Sequence, residues 1–331
     1  MKLLVLGGRD VRGLLPYADC AAAMRDALTA YANGQAHQPL RTIIRPPAAA
    51  GMMALMPAYL AAAEDSAAAY GLKAICIFGG NPASGLDSHQ GVVLLSSAQT
   101  GEPLALLNAS AVTEIRTAAV SAVATELLAR SDAAELAIIG TGVQARSHLL
   151  AIAAARPLDR IRVAGRDPGK ARRFAEDMRE HTTVPVTACD SAADAVAGAG
   201  IVVTATSSAE PVLRRGWLAP GAHVNAVGAC VPQARELDAE TMAGAAVFAD
   251  SRESVANEAG DYVLAQAEGA IGPDHVRAEL GELLTGTAPG RCGDAEITVF
   301  ESLGLAIEDL VAARLAYRNA TDRGAGTWVD F

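Results

Sequence analysis

Several classes of protein are set aside by what this sequence has little of. Among its 331 residues Asp and Glu outnumber Lys and Arg by 37 to 27, a formal net charge of −10. That balance argues against nucleic acid or an anionic membrane as the main partner. No apolar stretch reaches the length needed to span a bilayer. The opening MKLLVLGG is too short for a secretory h-region and has no small-residue cleavage site, so it reads as a first strand. The five cysteines (Cys20, Cys76, Cys189, Cys230, Cys292) are odd in number, scattered and without metal-ligand spacing. This points to a reducing, cytoplasmic setting and to no bound metal. Internal repeats and low-complexity linkers are absent too.

What remains is a chain that is 51% hydrophobic and 19% charged, long enough for two cores. The stretch LAIIGTGVQARSHLL (136–150) organises it. A short apolar run at 136–139 predicts a buried strand. Gly140 and Gly142 follow in a turn, and a helix opens at about Gln144. This is the G-x-G-x-x-A form of the dinucleotide fingerprint. Gly140 permits the tight turn, and Gly142 lets the backbone approach a pyrophosphate. Ala145 lets the helix pack closely, and the helix N-terminus faces the phosphates. A second strand at 160–164 completes a βαβ unit. Cofactor contacts are therefore assigned to Gly140, Thr141, Gly142, Val143, Gln144 and Ala145.

NAD-binding folds place a carboxylate at the tip of the second strand to hold the ribose hydroxyls. Here that strand ends in Gly165 and Arg166. Gly165 leaves room and Arg166 offers a charge for a 2′-phosphate, so NADP(H) is expected over NAD(H). Asp167 precedes Pro168 and reads as a helix N-cap rather than the missing acid. Thr206 and Ser207 follow a predicted strand end, where nucleotide ligands bind.

The first hundred residues read as β-rich with one helix. Strands are expected at 3–6, 41–44, 52–56 (stopped by Pro57), 68–78, 92–97 and 103–107, the last two joined as a hairpin by Thr100-Gly101. Asp10 and Val11 are expected to lead into a turn, and a helix to span 17–33. Alanine runs at 61–63 and 67–69 suit close-packed helices. Strand following strand favours an antiparallel α+β domain. A long helix at 113–129 bridges to the nucleotide domain, whose later strands fall at 201–205, 223–227 and 245–249. An amphipathic helix at 297–319 returns to the first domain. The fold class is thus α/β: a Rossmann domain at 131–304, a bridging helix at 113–130, and an α+β substrate and dimerisation domain at 1–112 and 305–331.

Three cations stand in awkward places. Arg116 falls in the predicted first turn of the bridging helix, where it opposes the dipole unless an anion binds there. Lys73 interrupts an apolar strand and shares a face with Ile75 and Ile77. Arg41 sits in a β-like run beside prolines, where an ordinary edge-strand charge is the plainer alternative. Together they could clamp a carboxylate, with the lysine able to donate a proton. His89 and Gln90, placed in a loop, and His148 are given no role.

These stretches resemble the ornithine cyclodeaminase/μ-crystallin family. The matching segments are QPLRT (38–42), LMPAY (55–59), GLK (71–73), TGEPLALLNAS (100–110), TEIRTAA (113–119), GTGVQA (140–145), TATSS (204–208), NAVGA (225–229), RELD (235–238) and VFESLGLAIEDL (299–310). The resemblance implies a homodimer built by the first domain. It also implies that Arg41, Lys73 and Arg116 bind the substrate carboxylate near the nicotinamide, with Ser302 and Gly304 in a segment near that ring. Two departures matter. Cyclodeaminases carry an aspartate where this chain has Cys230, and a glutamate where it has Ala54. Both carboxylates suited to a diamino acid are missing, and a thiol is a poor substitute base; Cys230 reads equally well as a small apolar filler. The resemblance therefore implies NAD(P)H-dependent reduction of a cyclic ketimine carboxylate. The alternatives are ornithine cyclodeamination, alanine dehydrogenase-like reduction of a linear imine, and a cofactor-dependent binding protein.

Overall fold

The computed structural model describes residues 2–63 and 67–331. The chain divides into two compact units, 1–116 with 304–331 and 117–303. The first unit holds one mixed sheet: β1 (Lys2–Leu6), β2 (Ala36–His37), β3 (Thr42–Ile44), β4 (Met52–Leu60), β5 (Ala69–Ile77), β6 (His89–Ser97), β7 (Pro103–Asn108) and β16 (Thr327–Asp330). Their order is β16-β1-β7-β6-β5-β4-β2, with β3 also on β4. Among the described residues only β1 and β7 run parallel; the other pairs are antiparallel. Strand alternation gives the sheet two faces. One face buries Ala54, Met56, Lys73, Ile75, Val93 and Leu95. The C-terminal helix Ala306–Arg323 packs on it, so closely that a Cβ on Gly71 would meet Leu310 at 2.9 Å. The opposite face carries Met53, Leu55, Pro57, Tyr70, Leu72, Val92 and Leu94, half-buried or exposed.

Several sequence expectations are corrected in this unit. Pro57 does not stop β4. It lies opposite the gap between the β3 and β2 pairings, so its missing N–H costs no ladder bond. The alanine runs are not helical: they flank the end of β4 and the start of β5. A helix, Gly8–Leu14, replaces the turn at Asp10, and His89 and Gln90 belong to β6 rather than a loop.

The bridging helix spans Ala109–Leu128 and carries the chain from the first unit into the second. It starts four residues earlier than expected, because the Asn108 side chain accepts a bond from the Ala111 amide at 2.9 Å, as a cap does. Arg116 therefore lies about two turns in, and the dipole argument does not apply to it.

The second unit is a wholly parallel sheet of β8 (Glu135–Ile139), β9 (Arg160–Ala164), β10 (Val186–Ala188), β11 (Ile201–Thr204), β12 (His223–Ala226), β13 (Ala246–Ala249), β14 (Val276–Glu279) and β15 (Thr298–Glu301). The order is β10-β9-β8-β11-β12-β15-β13-β14. Chain order reverses between β8 and β11, the switch point of a doubly wound fold and the place where such sheets bind nucleotides. Here too a reading is corrected. The expected helix 297–319 begins as the buried strand β15, passes through a loop, and becomes helical only at Ala306. Among the described residues no helix is long and apolar enough to cross a membrane.

Candidate active site

In the first unit, Lys73 and Arg116 share one carboxylate. The Lys73 Nζ lies 2.7 Å from Asp309 Oδ2, and Arg116 Nε donates to Asp309 Oδ1 at 2.9 Å. Arg116 Nη1 donates to Glu308 Oε2, also at 2.9 Å. These side chains are 4% exposed or less, so four charges are buried in one ion network. Arg41, half-buried, donates through Nη2 to the Gly304 carbonyl at 3.2 Å. Gly304 has φ +80, and a Cβ there would collide with the Arg116 guanidinium, so only glycine fits between the two arginines. The three cations singled out in the sequence are thus gathered around the start of the C-terminal helix.

Glu308 and Asp309 went unrecognised in the sequence. Removing charges from water costs several kcal/mol each unless they are paired and hydrogen-bonded, and here they are. Burial pulls the Lys73 pKa down to about 8, with Asp309 opposing and Arg116 and Arg41 assisting. Burial would raise the Asp309 carboxyl, but Arg116 and Lys73 outweigh it and hold the group below its usual range. The His89 imidazole is lowered too, by burial and then by Lys73 and Arg116. Cys20 is pushed up to about 12 by burial and is an inert thiol.

In the second unit, Gly140 has φ +130 and a Cβ there would collide with the Ala205 carbonyl, so the glycine turn lies against the end of β11. The helix Val143–Ala155 starts at Gly142 with no side-chain cap, leaving its first amides for another acceptor. A Cβ on Gly142 would meet nothing within 4 Å. Ala145 is fully buried in one core with Leu136 and Ile138. This open, uncapped turn fits a dinucleotide pyrophosphate. A Cβ on Gly165 would press on the Thr141 methyl at 3.1 Å, so its role is to seat the turn as well as to leave room. Arg166 is exposed at the tip of β9. Asp167 accepts the Gly169 and Lys170 amides at 2.8 and 3.2 Å, the N-cap role read from the sequence.

The other predicted positions scatter. Val143 and Ser207 are exposed, and Gln144 is half-buried. Ser302 is buried, with its amide on the Ala226 carbonyl at 2.9 Å. The Cys230 thiol lies 3.3 Å from the Val227 carbonyl and packs against the apolar core. Ala54 is buried in β4, with no carboxylate at its place in the strand. His148 is a core histidine, bonded to the Gln144 carbonyl and the Ser121 hydroxyl and lowered by burial to about 4.

Sequence comparison gives these features a context: the ornithine cyclodeaminase/mu-crystallin family matches residues 1–324. The chain belongs to that family. Among its members, mouse ketimine reductase mu-crystallin is 40% identical over 285 residues, 86% of each chain. The structure of Thermococcus litoralis Δ1-pyrroline-2-carboxylate reductase with NADH and L-proline superposes with a TM-score of 0.94. It is 39% identical and the match covers 98% of this chain and 99% of that one. An archaeal alanine dehydrogenase dimer with bound NAD gives 0.93, at 30% identity and full coverage of both chains. Both structures match this chain along the length of its two units.

Proposed function

We propose that this chain reduces a cyclic ketimine carboxylate, of the Δ1-pyrroline-2-carboxylate or Δ1-piperideine-2-carboxylate type, to the cyclic amino acid. The observation that carries this reading is the buried Lys73–Asp309–Arg116–Glu308 network, with Arg41 beside it. By formal charge, its three cations and two carboxylates leave one positive charge, which suits a monoanion. No acidic residue stands at 54 or 230 to handle a diamino acid. Arg116, pinned by Glu308 and Asp309, is a preorganised donor for the substrate carboxylate, and Arg41 is its partner. Lys73 delivers or relays the proton to the imine nitrogen; with a pKa of about 8 it is charged near neutrality yet acidic enough to give the proton up. When bound, the nicotinamide dinucleotide supplies the hydride. Gly140, Thr141, Gly142 and the first amides of the helix Val143–Ala155 would hold its pyrophosphate.

The cofactor is read as NADPH in preference to NADH, because the tip of β9 presents Arg166 and no carboxylate. The test is absorbance loss with Δ1-piperideine-2-carboxylate and either cofactor, beside an ammonia assay with ornithine and catalytic NAD(P). Cofactor consumption only in the first assay is expected, with a lower KM for NADPH that Arg166→Ala raises. Ammonia from ornithine would favour cyclodeamination, and silence in both a binding role. An unchanged NADPH KM in Arg166→Ala would remove the 2′-phosphate assignment.

The functional unit is read as a homodimer built on the outer face of the first unit's sheet. There an open groove of about 400 Å³ is lined by Tyr59, Tyr70, Leu72 and Leu94 among others, an apolar surface of the kind that association covers. Sedimentation should give the mass of two chains, and Leu94→Glu the mass of one. A wild-type monomer would contradict this.

A further inference from the structure

Four carboxyl side chains, Glu236, Asp250, Asp261 and Glu301, are buried in the second unit, each 1% exposed or less. Buried acids at the C-terminal end of a parallel sheet call for an account, and the hydrogen bonds of Glu236 supply one. Its Oε1 accepts the Thr206 amide and its Oε2 the Gly228 amide, both at 2.6 Å. Thr206 lies just past the end of β11 and Gly228 just past the end of β12. One carboxylate therefore ties two neighbouring strand-end loops, one of them at the switch point.

The surroundings are built around this contact. A Cβ on Gly228 would stand 2.6 Å from the Glu236 carboxyl carbon, so the approach needs glycine there. The Glu236 carbonyl accepts the Val212 and Leu213 amides at 2.7 and 3.0 Å. Asp261 Oδ1 accepts the Glu236 and Leu237 amides, both at 2.7 Å. We propose that Glu236 is a positioning residue for dinucleotide binding: its carboxylate locks the Thr206 and Gly228 loops in the conformation that receives the cofactor.

Accepting from two amides through two oxygens suits the ionised form. Burial disfavours that form and raises the Glu236 pKa, and the amide donors oppose the rise. The clamp therefore works best while its acidic neighbours stay neutral. Burial, and then the Glu236 charge, hold the Asp261 carboxyl above its usual range, against its two amide donors and Arg235. Glu301 is raised well above the usual range by burial and by Asp261, Glu236 and Asp250. Ionisation of Asp261 on the alkaline side sets a second negative charge beside the clamp.

This inference rests on the cofactor reading above, and direct titration with NADPH or NADH, followed by fluorescence without substrate, separates the two. If the wild type binds neither dinucleotide, the cofactor reading itself fails. If it binds, Glu236→Gln, which puts an amide donor against one of the two backbone donors, should raise the dissociation constant tenfold or more. It should raise the KM of the cofactor while the imine KM at saturating cofactor holds. Glu236→Asp should recover only part of the loss. Wild-type affinity in Glu236→Gln would overturn the proposal. Should that variant fail to fold, Glu236→Asp decides: its shorter side chain cannot reach both amides, which the wild-type carboxylate holds at 2.6 Å, so wild-type affinity there would overturn the proposal equally. Wild-type cofactor affinity should fall toward alkaline pH, and less so in Asp261→Asn, which keeps the acceptor for both amides and cannot ionise.

Discussion

Replacing Lys73 with methionine is expected to slow imine reduction by about 10²–10⁴-fold, the usual contribution of a positioned proton donor. Dinucleotide affinity should stay near the wild-type value. Methionine fills most of the same volume in β5, and Arg116 remains to partner Asp309. The pH profile carries the same information. The lysine is charged below its pKa of about 8 and neutral above it, so kcat/KM for reduction should be flat near neutrality and fall tenfold per pH unit above about pH 8. Steady-state rates from pH 6 to 10 measure both effects. A Lys73→Met enzyme with full turnover would take the residue out of the proton transfer.

The second large effect concerns Asp309. Asp309→Asn removes the carboxylate that Lys73 and Arg116 share, leaving two buried cations with Glu308 alone on one side. Breaking a buried pair in this way costs about 3–5 kcal/mol, which denaturant titration should show as an early transition. Asp309 is also what opposes the depression of the Lys73 pKa. Without it the alkaline limb of the rate should move to lower pH, and the neutral-pH rate should drop with it. A variant as stable as the wild type, with an unmoved pH limb, would show that the shared carboxylate has neither role.

The nucleotide half of this protein was legible because its signals are local. A strand, two glycines with fixed jobs, a small residue at 145 and a second strand all fall within 30 residues, and the structure places each within a residue or so of expectation. Lys73 was legible for another reason: a cation in an apolar strand needs a partner, whatever the fold. Arg116 was singled out by a dipole argument that its place about two turns into the helix removes. Arg41 was singled out only by its setting beside prolines and by the family resemblance. Their partners were not legible. The C-terminal segment 297–319 reads as one amphipathic helix with apolar positions at 299, 303, 307, 310, 311 and 315, a pattern that gives Glu308 and Asp309 no place in the core. In fact residues 306–313 are buried all round. The available signal was a mismatch: two adjacent acids in LAIEDLVAA with no lysine or arginine three or four residues away, and a lysine set in an apolar strand elsewhere. The Glu236 clamp was hidden similarly. Its RELD segment marks the family, but its partners at 206, 228 and 261 come together only through the order of the parallel strands.

In the proposed reaction the substrate is held by its carboxylate in the Arg41, Lys73 and Arg116 cluster. This is tested most directly by comparing Δ1-pyrroline-2-carboxylate with Δ1-pyrroline, the same imine without the carboxylate, under saturating NADPH. A site built around buried charged donors rejects a substrate lacking their partner by about 10⁴-fold or more, and kcat/KM should differ by that order. If the two imines are reduced at rates within tenfold of each other, the cation cluster does not anchor the substrate.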